Sequence, residues 1–268
     1  MRRRFGGVAA ALALFGCIAP PPLATAPDAK VTAASTPAAA PGKCQWPNGA
    51  AAAVSLTYDD GWRSQLGHAV PVLDRAGIKA TFFLSGGNVA EFAPLAKQGH
   101  ELASHTLRHP CNADLAALGA PEMAAELDAG NAAVQALGVS GKLTFAYPCG
   151  QMSMKGMESY VPLVKERFRA ARGVAGVVAD PTQADLFNVP AWFPPSSSDG
   201  ADVIAFIERA AASHGWAVIG VHGVSEAGEY LQLSQPAHDK IVAYLAEHTQ
   251  TLWTAPFGTV ADVVAGCR

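Results

Sequence analysis

The chain has 268 residues, half of them apolar and 15% charged, with a formal net charge of −3. That length can bury one sizeable core, or two smaller ones. So slight a negative charge excludes the basic surface on which binding to nucleic acid or another polyanion depends.

The chain opens on a basic stretch, Met1 to Arg4, followed by an apolar run from Phe5 to Ile18 that is too short to span a bilayer comfortably. Residues 1–18 therefore read as a secretory signal. Leu14-Phe15-Gly16-Cys17 resembles a bacterial lipobox, in which lipidated Cys17 would tether the protein to a membrane. The alternative is an incidental cysteine in a simple signal peptide. Either way the expectation is export from a bacterial cell, as a periplasmic or outer-membrane lipoprotein or as a secreted protein. Residues 19–43 are rich in Pro, Ala and Thr and poor in large apolar groups. Burial there cannot offset the entropy of ordering, so the segment reads as a flexible tether. The folded domain is expected over 44–268.

In that domain short apolar, β-branched or aromatic runs alternate with helical patterns. Val54–Tyr58 reads as a strand, and Gln65–Ala76 as a helix ended by Gly77. Ala80–Leu84 is a second strand and Val89–Lys97 a helix stopped near Gly99. Glu101–Ala103 is a third strand. Pro121–Leu137 is a helix with proline at its start and Gly138 past its end. Leu143–Ala146 is a strand, Tyr160–Phe168 a helix, and Arg169–Arg172 is extended. Leu186–Val189 is a further strand, then Asp202–Ser213 a helix, Ala217–Val221 a strand, His238–Glu247 a helix and Leu252–Thr254 a last strand. This alternation argues for parallel strands covered by helices. Seven or eight such units fit a closed α/β barrel better than an open doubly wound sheet, and no G-x-G-x-x-G follows the first strand.

Four cysteines fall in the domain, an even count that suggests disulfides in an exported protein. Of three pairings, Cys44–Cys267 joining the domain's ends and Cys111–Cys149 joining two loops are favoured. Free buried thiols are the alternative. Ligation of a metal by cysteine is disfavoured, since none sits in a C-x-x-C pair.

The first strand runs into Thr57-Tyr58-Asp59-Asp60-Gly61. Two adjacent carboxylates after an apolar run are costly unless each has a partner. Successive strand side chains point apart, so the two are expected to have separate tasks: one for a metal, one for a proton. The plain alternative is a polar turn, for which Asp-Asp-Gly is good chemistry. The third strand runs into Ser104-His105-Thr106-Leu107-Arg108-His109-Pro110. Histidines four apart share one face of a helical turn and can hold one ion, although two surface histidines would look the same. With Asp60 they make a two-histidine, one-carboxylate set that leaves coordination positions open.

These motifs resemble the first two of the carbohydrate esterase family 4 polysaccharide deacetylases, the NodB-homology domain. Phe145-Ala146-Tyr147-Pro148-Cys149-Gly150 is similar to the third and Val218-Ile219-Gly220-Val221-His222 to the fifth, so the resemblance spans residues 54–260. It implies a distorted, NodB-like (β/α) barrel and removal of acetyl groups from a carbohydrate. It implies Asp60, His105 and His109 as ligands of a divalent metal, most often zinc, with cobalt or similar ions in some members. Asp59 would be the general base, His222 the acid that protonates the leaving group, and the backbone N–H of Cys149, after Pro148, an oxyanion donor. All four motifs follow predicted strands and so gather at the C-terminal face of a barrel, where barrel enzymes place their sites. The same placement sets Cys111 and Cys149 on neighbouring loops.

The sequence departs from the family in three places, one of which is Cys149, standing at the oxyanion position where a tyrosine is common. Where the third motif usually carries an arginine partner for the catalytic aspartate, this chain has Phe145 or Ala146, and Arg172 is the candidate substitute. The fourth motif is not evident; Trp192, in Ala191-Trp192-Phe193, is the candidate for an aromatic wall against a sugar ring, with core packing as the alternative. The substrate is expected to be an N-acetylated amino sugar polymer or oligomer, with an O-acetyl ester as the other option. A non-catalytic glycan-binding domain on the same scaffold and a barrel metallohydrolase of a non-sugar amide or ester are the competing readings.

Overall fold

The computed structural model describes residues 44–225 and 231–267. The expected leader, the tether and Cys17 lie outside them. Seven parallel strands are found among the described residues: β1 (Ala52–Asp59), β2 (Thr81–Leu84), β3 (Glu101–Ser104), β4 (Thr144–Ala146), β5 (Ala170–Arg172), β6 (Trp216–Val221) and β7 (Leu252–Thr254). Their order is β5-β4-β3-β2-β1-β6, with β7 pairing against the start of β1. The helices are α1 (Val70–Arg75), α2 (Ala93–Lys97), α3 (Asn112–Ala117), α4 (Ala120–Gln135), α5 (Val161–Arg167), α6 (Ala201–Ser213), α7 (Gln235–Glu247) and α8 (Phe257–Gly266). None of them is long and apolar enough to cross a membrane.

Closure of the barrel is irregular. The expected strand at 186–189 forms only isolated bridges. The Ala171 amide donates to Leu186, the Gly173 amide to Val189 and the Trp192 amide to Val218. Segment 186–192 thereby spans the gap between β5 and β6. Pro190 has no N–H and cannot take part in a continuous ladder, which breaks the strand in two. The expected helices at 65–76 and 89–97 are also divided. A π-turn, Gln65–Ala69, precedes α1, and a 3-10 segment, Gly86–Phe92, precedes α2. Pro71 and Pro94 stand in the first turns of α1 and α2, where the missing N–H does no harm, whereas an α-helix does not pass freely through them. Helices α3 and α8 were not anticipated from the sequence.

Parity along β1 sorts the chain into two cores. Ala52, Val54, Leu56 and Tyr58 face the helices, and Ala53 faces the barrel interior. By alternation Ser55, Thr57 and Asp59 share that inner face. The interior is lined by small residues, Ala103, Ala146 and Ala170, wedged with Phe83, Trp216 and Phe257. Its polar groups are paired: Ser55 Oγ donates to Ala255 O and Thr57 Oγ1 to Ile219 O, both at 2.9 Å. Lower down, Glu101 accepts from Thr81, Thr144, Arg169 and the Gly258 amide. Asp59 and Arg172 are the uppermost inward residues of their strands, so the same parity that fills the interior lifts them to the barrel mouth.

Helix α4 braces the loop after β3. Buried Glu126 accepts from the Arg108 amide and, at 2.8 Å, from Arg108 Nε. Gly130 packs so closely that a Cβ there would stand 2.7 Å from the Thr106 carbonyl carbon. In an open helix, Gly→Ala stabilises by about 1 kcal/mol. Here the clash is with backbone, and overpacking of that kind costs about 1–3 kcal/mol. Gly130→Ala is therefore expected to lower the urea midpoint, and a raised midpoint would show that the loop does not rest on α4.

Candidate active site

Asp59, Asp60, His105, His109, Arg172 and His222 line one cavity of about 350 Å³ at the C-terminal ends of the strands. Strand alternation alone would turn Asp60 away from Asp59. Instead Asp60 adopts a left-handed φ of 71°, followed by Gly61 at 70°, and its side chain swings back toward the same cavity. Aspartate is among the residues that tolerate this region best.

The two histidines do not lie on a helical turn, as their spacing suggested. The segment is a loop in which Thr106 (φ 66°) and His109 (φ 54°) are left-handed. The Thr106 hydroxyl accepts from the His109 amide at 3.0 Å and fixes the bend. The outcome resembles the expected one because both side chains still converge. His105 Nε2 and His109 Nε2 are 3.1 Å apart, and they stand 3.6 and 3.4 Å from Asp60 Oδ1.

That triangle suits a metal ion. A point equidistant from its corners lies about 2 Å from each, the usual distance of zinc from nitrogen or carboxylate oxygen. Asp60 Oδ1 is buried and has no hydrogen-bond partner. His105 Nδ1 donates to Ala146 O at 2.8 Å, which leaves the lone pair on Nε2. Burial pushes the His105 pKa down to about 4, against the opposing pull of Asp59 and Asp60. The ring is accordingly neutral at pH 7, the state a ligand needs. The free Asp60 oxygen, Oδ2, accepts from Trp62 Nε1 at 3.2 Å.

Asp59 is 2% exposed. Its partner is Arg172, whose Nη2 donates to Asp59 Oδ2. Ala146 and Arg172 are register partners on β4 and β5. The arginine is thus present one strand over from the position where the third motif would carry it, on the same inward face. Arg172 is 1% exposed and its guanidinium lies between the rings of Phe83 and Phe193, at 5.1 and 4.9 Å. Burial works to raise the Asp59 pKa, but Arg172, His105 and His222 together outweigh it and hold the carboxyl below its ordinary range. Asp59 Oδ1 is buried without a hydrogen-bond partner.

His222 follows β6, with Nε2 3.7 Å from Asp60 Oδ2. Its ring is tilted against Phe193 at 5.3 Å. A Cβ at Gly220 would stand 2.2 Å from the Phe193 ring, so glycine makes the room for that ring. Trp192, the expected aromatic wall, packs instead on Phe206 of α6 at 5.1 Å, and its neighbour Phe193 lines the cavity. Pro148 is buried and shapes the turn in which Cys149, with φ 53°, reaches the cavity lining. Cys111 is bonded to Cys149 and Cys44 to Cys267. His238 is structural: it sits 2.7 Å from Tyr58 Oη on the helix side of β1.

Sequence reasoning missed Gln65. Its side-chain amide donates to Asp59 O at 2.6 Å and His222 O at 2.7 Å, tying together the ends of β1 and β6. No residue pattern marked it, because both of its partners are backbone carbonyls.

Residues 47–160 match the family model described as polysaccharide deacetylase. Among curated proteins the chain is similar to the uncharacterized protein YlxY of Bacillus subtilis, 34% identical over 103 residues, which are 36% of this chain and 31% of that protein. It is also similar to a chitin deacetylase of Arthroderma benhamiae, 35% identical over 81 residues, covering 28% and 21%. The matches thus span a third or less of those relatives' length. Among solved structures it is similar to a Mycobacterium smegmatis protein assigned as a polysaccharide deacetylase, with TM-score 0.58 and 19% identity over 82% of this chain and 92% of that one. That likeness extends the shared fold, a curled parallel-stranded barrel, over nearly all the described residues.

The Asp59–Arg172 pair sets a pH signature for the metal-free protein. With its pKa depressed, Asp59 adds stability above the unfolded value of about 3.9, and this is lost as pH falls through the lower folded value. In Arg172→Met the main opposing charge is gone and burial raises the pKa instead. Breaking such a pair costs about 3–5 kcal/mol. Urea denaturation in EDTA should therefore show a gap of that order at pH 7, narrowing toward pH 4. A gap that holds constant or widens in acid would mean that the two charges are not coupled.

Proposed function

We propose that the chain, whose residues 47–160 match the polysaccharide deacetylase family model, carries a domain of the carbohydrate esterase family 4, NodB-homology type, and is an exported, metal-dependent hydrolase removing acetyl groups from a carbohydrate. The observation that carries the proposal is the meeting of Asp60, His105 and His109 around one point, with Asp59 and His222 on the same cavity. Asp60, His105 and His109 hold one divalent ion, with zinc favoured by the nitrogen-rich donor set and cobalt or a similar ion as the substitute. When bound, the ion polarises the acetyl carbonyl and lowers the pKa of water.

The remaining roles fall to the chain's own groups. Asp59 accepts a proton from the attacking water. Its depressed pKa keeps it ionised through the neutral range, and Arg172 holds it in place. His222 gives a proton to the departing nitrogen or oxygen, so acid and base come from different strands. The Cys149 backbone N–H donates to the oxyanion as charge develops. Phe193 supplies the apolar wall of the cavity. The substrate is an N-acetylated amino sugar oligomer or polymer, a choice supported by the similarity to chitin deacetylase; an O-acetyl ester would use the same groups. Residues 1–18 direct export and 19–43 tether the domain at 44–268, with Cys17 the point of lipid attachment.

The test is acetate release from acetylated chitooligosaccharides, peptidoglycan and acetylxylan. Activity should be abolished by EDTA and restored by zinc or cobalt. Asp59→Asn should lose about 10²–10⁴-fold in kcat while still binding metal. Glycan binding without acetate release from any of the three would favour a non-catalytic carbohydrate-binding domain. Full activity in Asp59→Asn would remove that residue from the chemistry.

A further inference from the structure

Cys111 and Cys149 stand on the loops after β3 and β4, two residues beyond one metal-ligating histidine and at the turn that lines the cavity. Cys111 Sγ lies 3.5 Å from His109 Nδ1. A disulfide sulfur bears no proton, so in this contact it can only accept. With its proton on Nδ1 the ring donates to that sulfur and keeps the lone pair on Nε2, the atom that faces Asp60 and His105. His105 is set in the same tautomer by Ala146 O, also on the β4 side.

The two histidines differ in how firmly packing holds them. The His105 side chain is 2% exposed and that of His109 30%. Packing immobilises the first; the second depends on whatever touches its rear nitrogen. The residues on either side of this contact are held in unusual backbone conformations, since His109, Asn112 and Cys149 all have φ between 51° and 54°. Beside the bridge, the Asn112 amide donates to Gln151 Oε1 at 2.7 Å and Gln151 Nε2 to Asn112 Oδ1 at 2.9 Å. This reciprocal pair joins the same two loops without sulfur, so loss of the disulfide need not separate them.

We propose that the Cys111–Cys149 disulfide is a positioning element of the metal site: it fixes the tautomer and aim of His109 while clamping the Cys149 turn, so that its first effect is on metal affinity and not on the fold. The proposal rests on the metal-dependent reading above. Groups that orient a ligating histidine are worth about 10–100-fold in metal affinity.

The experiment uses the mature full-length protein, stripped of metal, in competition with a chromophoric chelator for zinc. C111A/C149A should bind zinc about 10–100-fold more weakly than the parent. C44A/C267A, lacking the distant bridge between the domain's ends, should lose thermal stability yet bind zinc within about twofold. The tautomer of His109 in the oxidised, metal-free parent is read separately from imidazole ¹⁵N shifts, so the test survives if C111A/C149A does not fold. Equal zinc affinity in C111A/C149A and parent, or an Nε2–H tautomer at His109, would overturn the proposal. A parent that takes up no zinc would refute the metal reading itself, and the tautomer would still decide whether the bridge orients His109.

Discussion

A carboxylate at the dry mouth of a barrel must be neutralised or paired, and the Asp59–Arg172 contact is how this fold meets that demand. Both groups are almost fully buried, and removal of either would strand a charge. The pair joins β1 to β5 across the barrel mouth. Arg172 reaches Asp59 only because the side chains between them are small or flat: Ala146 beside it, and Phe83 and Phe193 on its two faces. Given that arrangement, Asp59 stays ionised with its second oxygen toward the cavity, and His105 can be buried beside it as a neutral ring.

The triangle of Asp60, His105 and His109 depends on this frame but is made by different means. Asp60, His105 and His109 come together through loop backbone in left-handed conformations, not through regular secondary structure. Such conformations last only where neighbours determine them. The neighbours here are Trp62 on Asp60, the Ala146 carbonyl on His105, and the Thr106 hydroxyl and Cys111 sulfur around His109. Behind them, α4 supports the loop through Glu126 and Gly130. The site is best regarded as rigid strand ends carrying strained turns, each turn secured by one or two specific contacts.

The parallel barrel was legible in the sequence because alternation of strand and helix patterns is a long-range signal that survives errors at boundaries. The four motifs were legible for a similar reason, since each follows an apolar run and so falls on one face. Arg172 was found as the substitute partner from its place after the next strand, and the register with Ala146 explains why it works. What the sequence hid were matters of backbone sign and side-chain direction. Nothing local in Asp59-Asp60 foretold the φ of 71° that keeps both carboxylates on one cavity, and the i, i+4 histidine spacing pointed to a helical turn that is not there. Trp192 and Phe193 stand side by side in the sequence, and which of them reaches the cavity depends on the room left by Gly220 on β6. Gln65 was invisible because its partners are backbone carbonyls, which carry no residue signature.

The central claim is that two imidazoles and one carboxylate meet around a single ion. X-ray absorption at the zinc edge of the oxidised, zinc-loaded protein tests it most directly. The predicted spectrum has a nitrogen and oxygen shell at about 2.0–2.1 Å with the outer scattering of two imidazoles. A sulfur shell near 2.3 Å would mean that Cys111 and Cys149 are thiolates holding the ion with His109 and are not bridged, and an oxygen shell without imidazole scattering would place the ion elsewhere. Either result would contradict the site described.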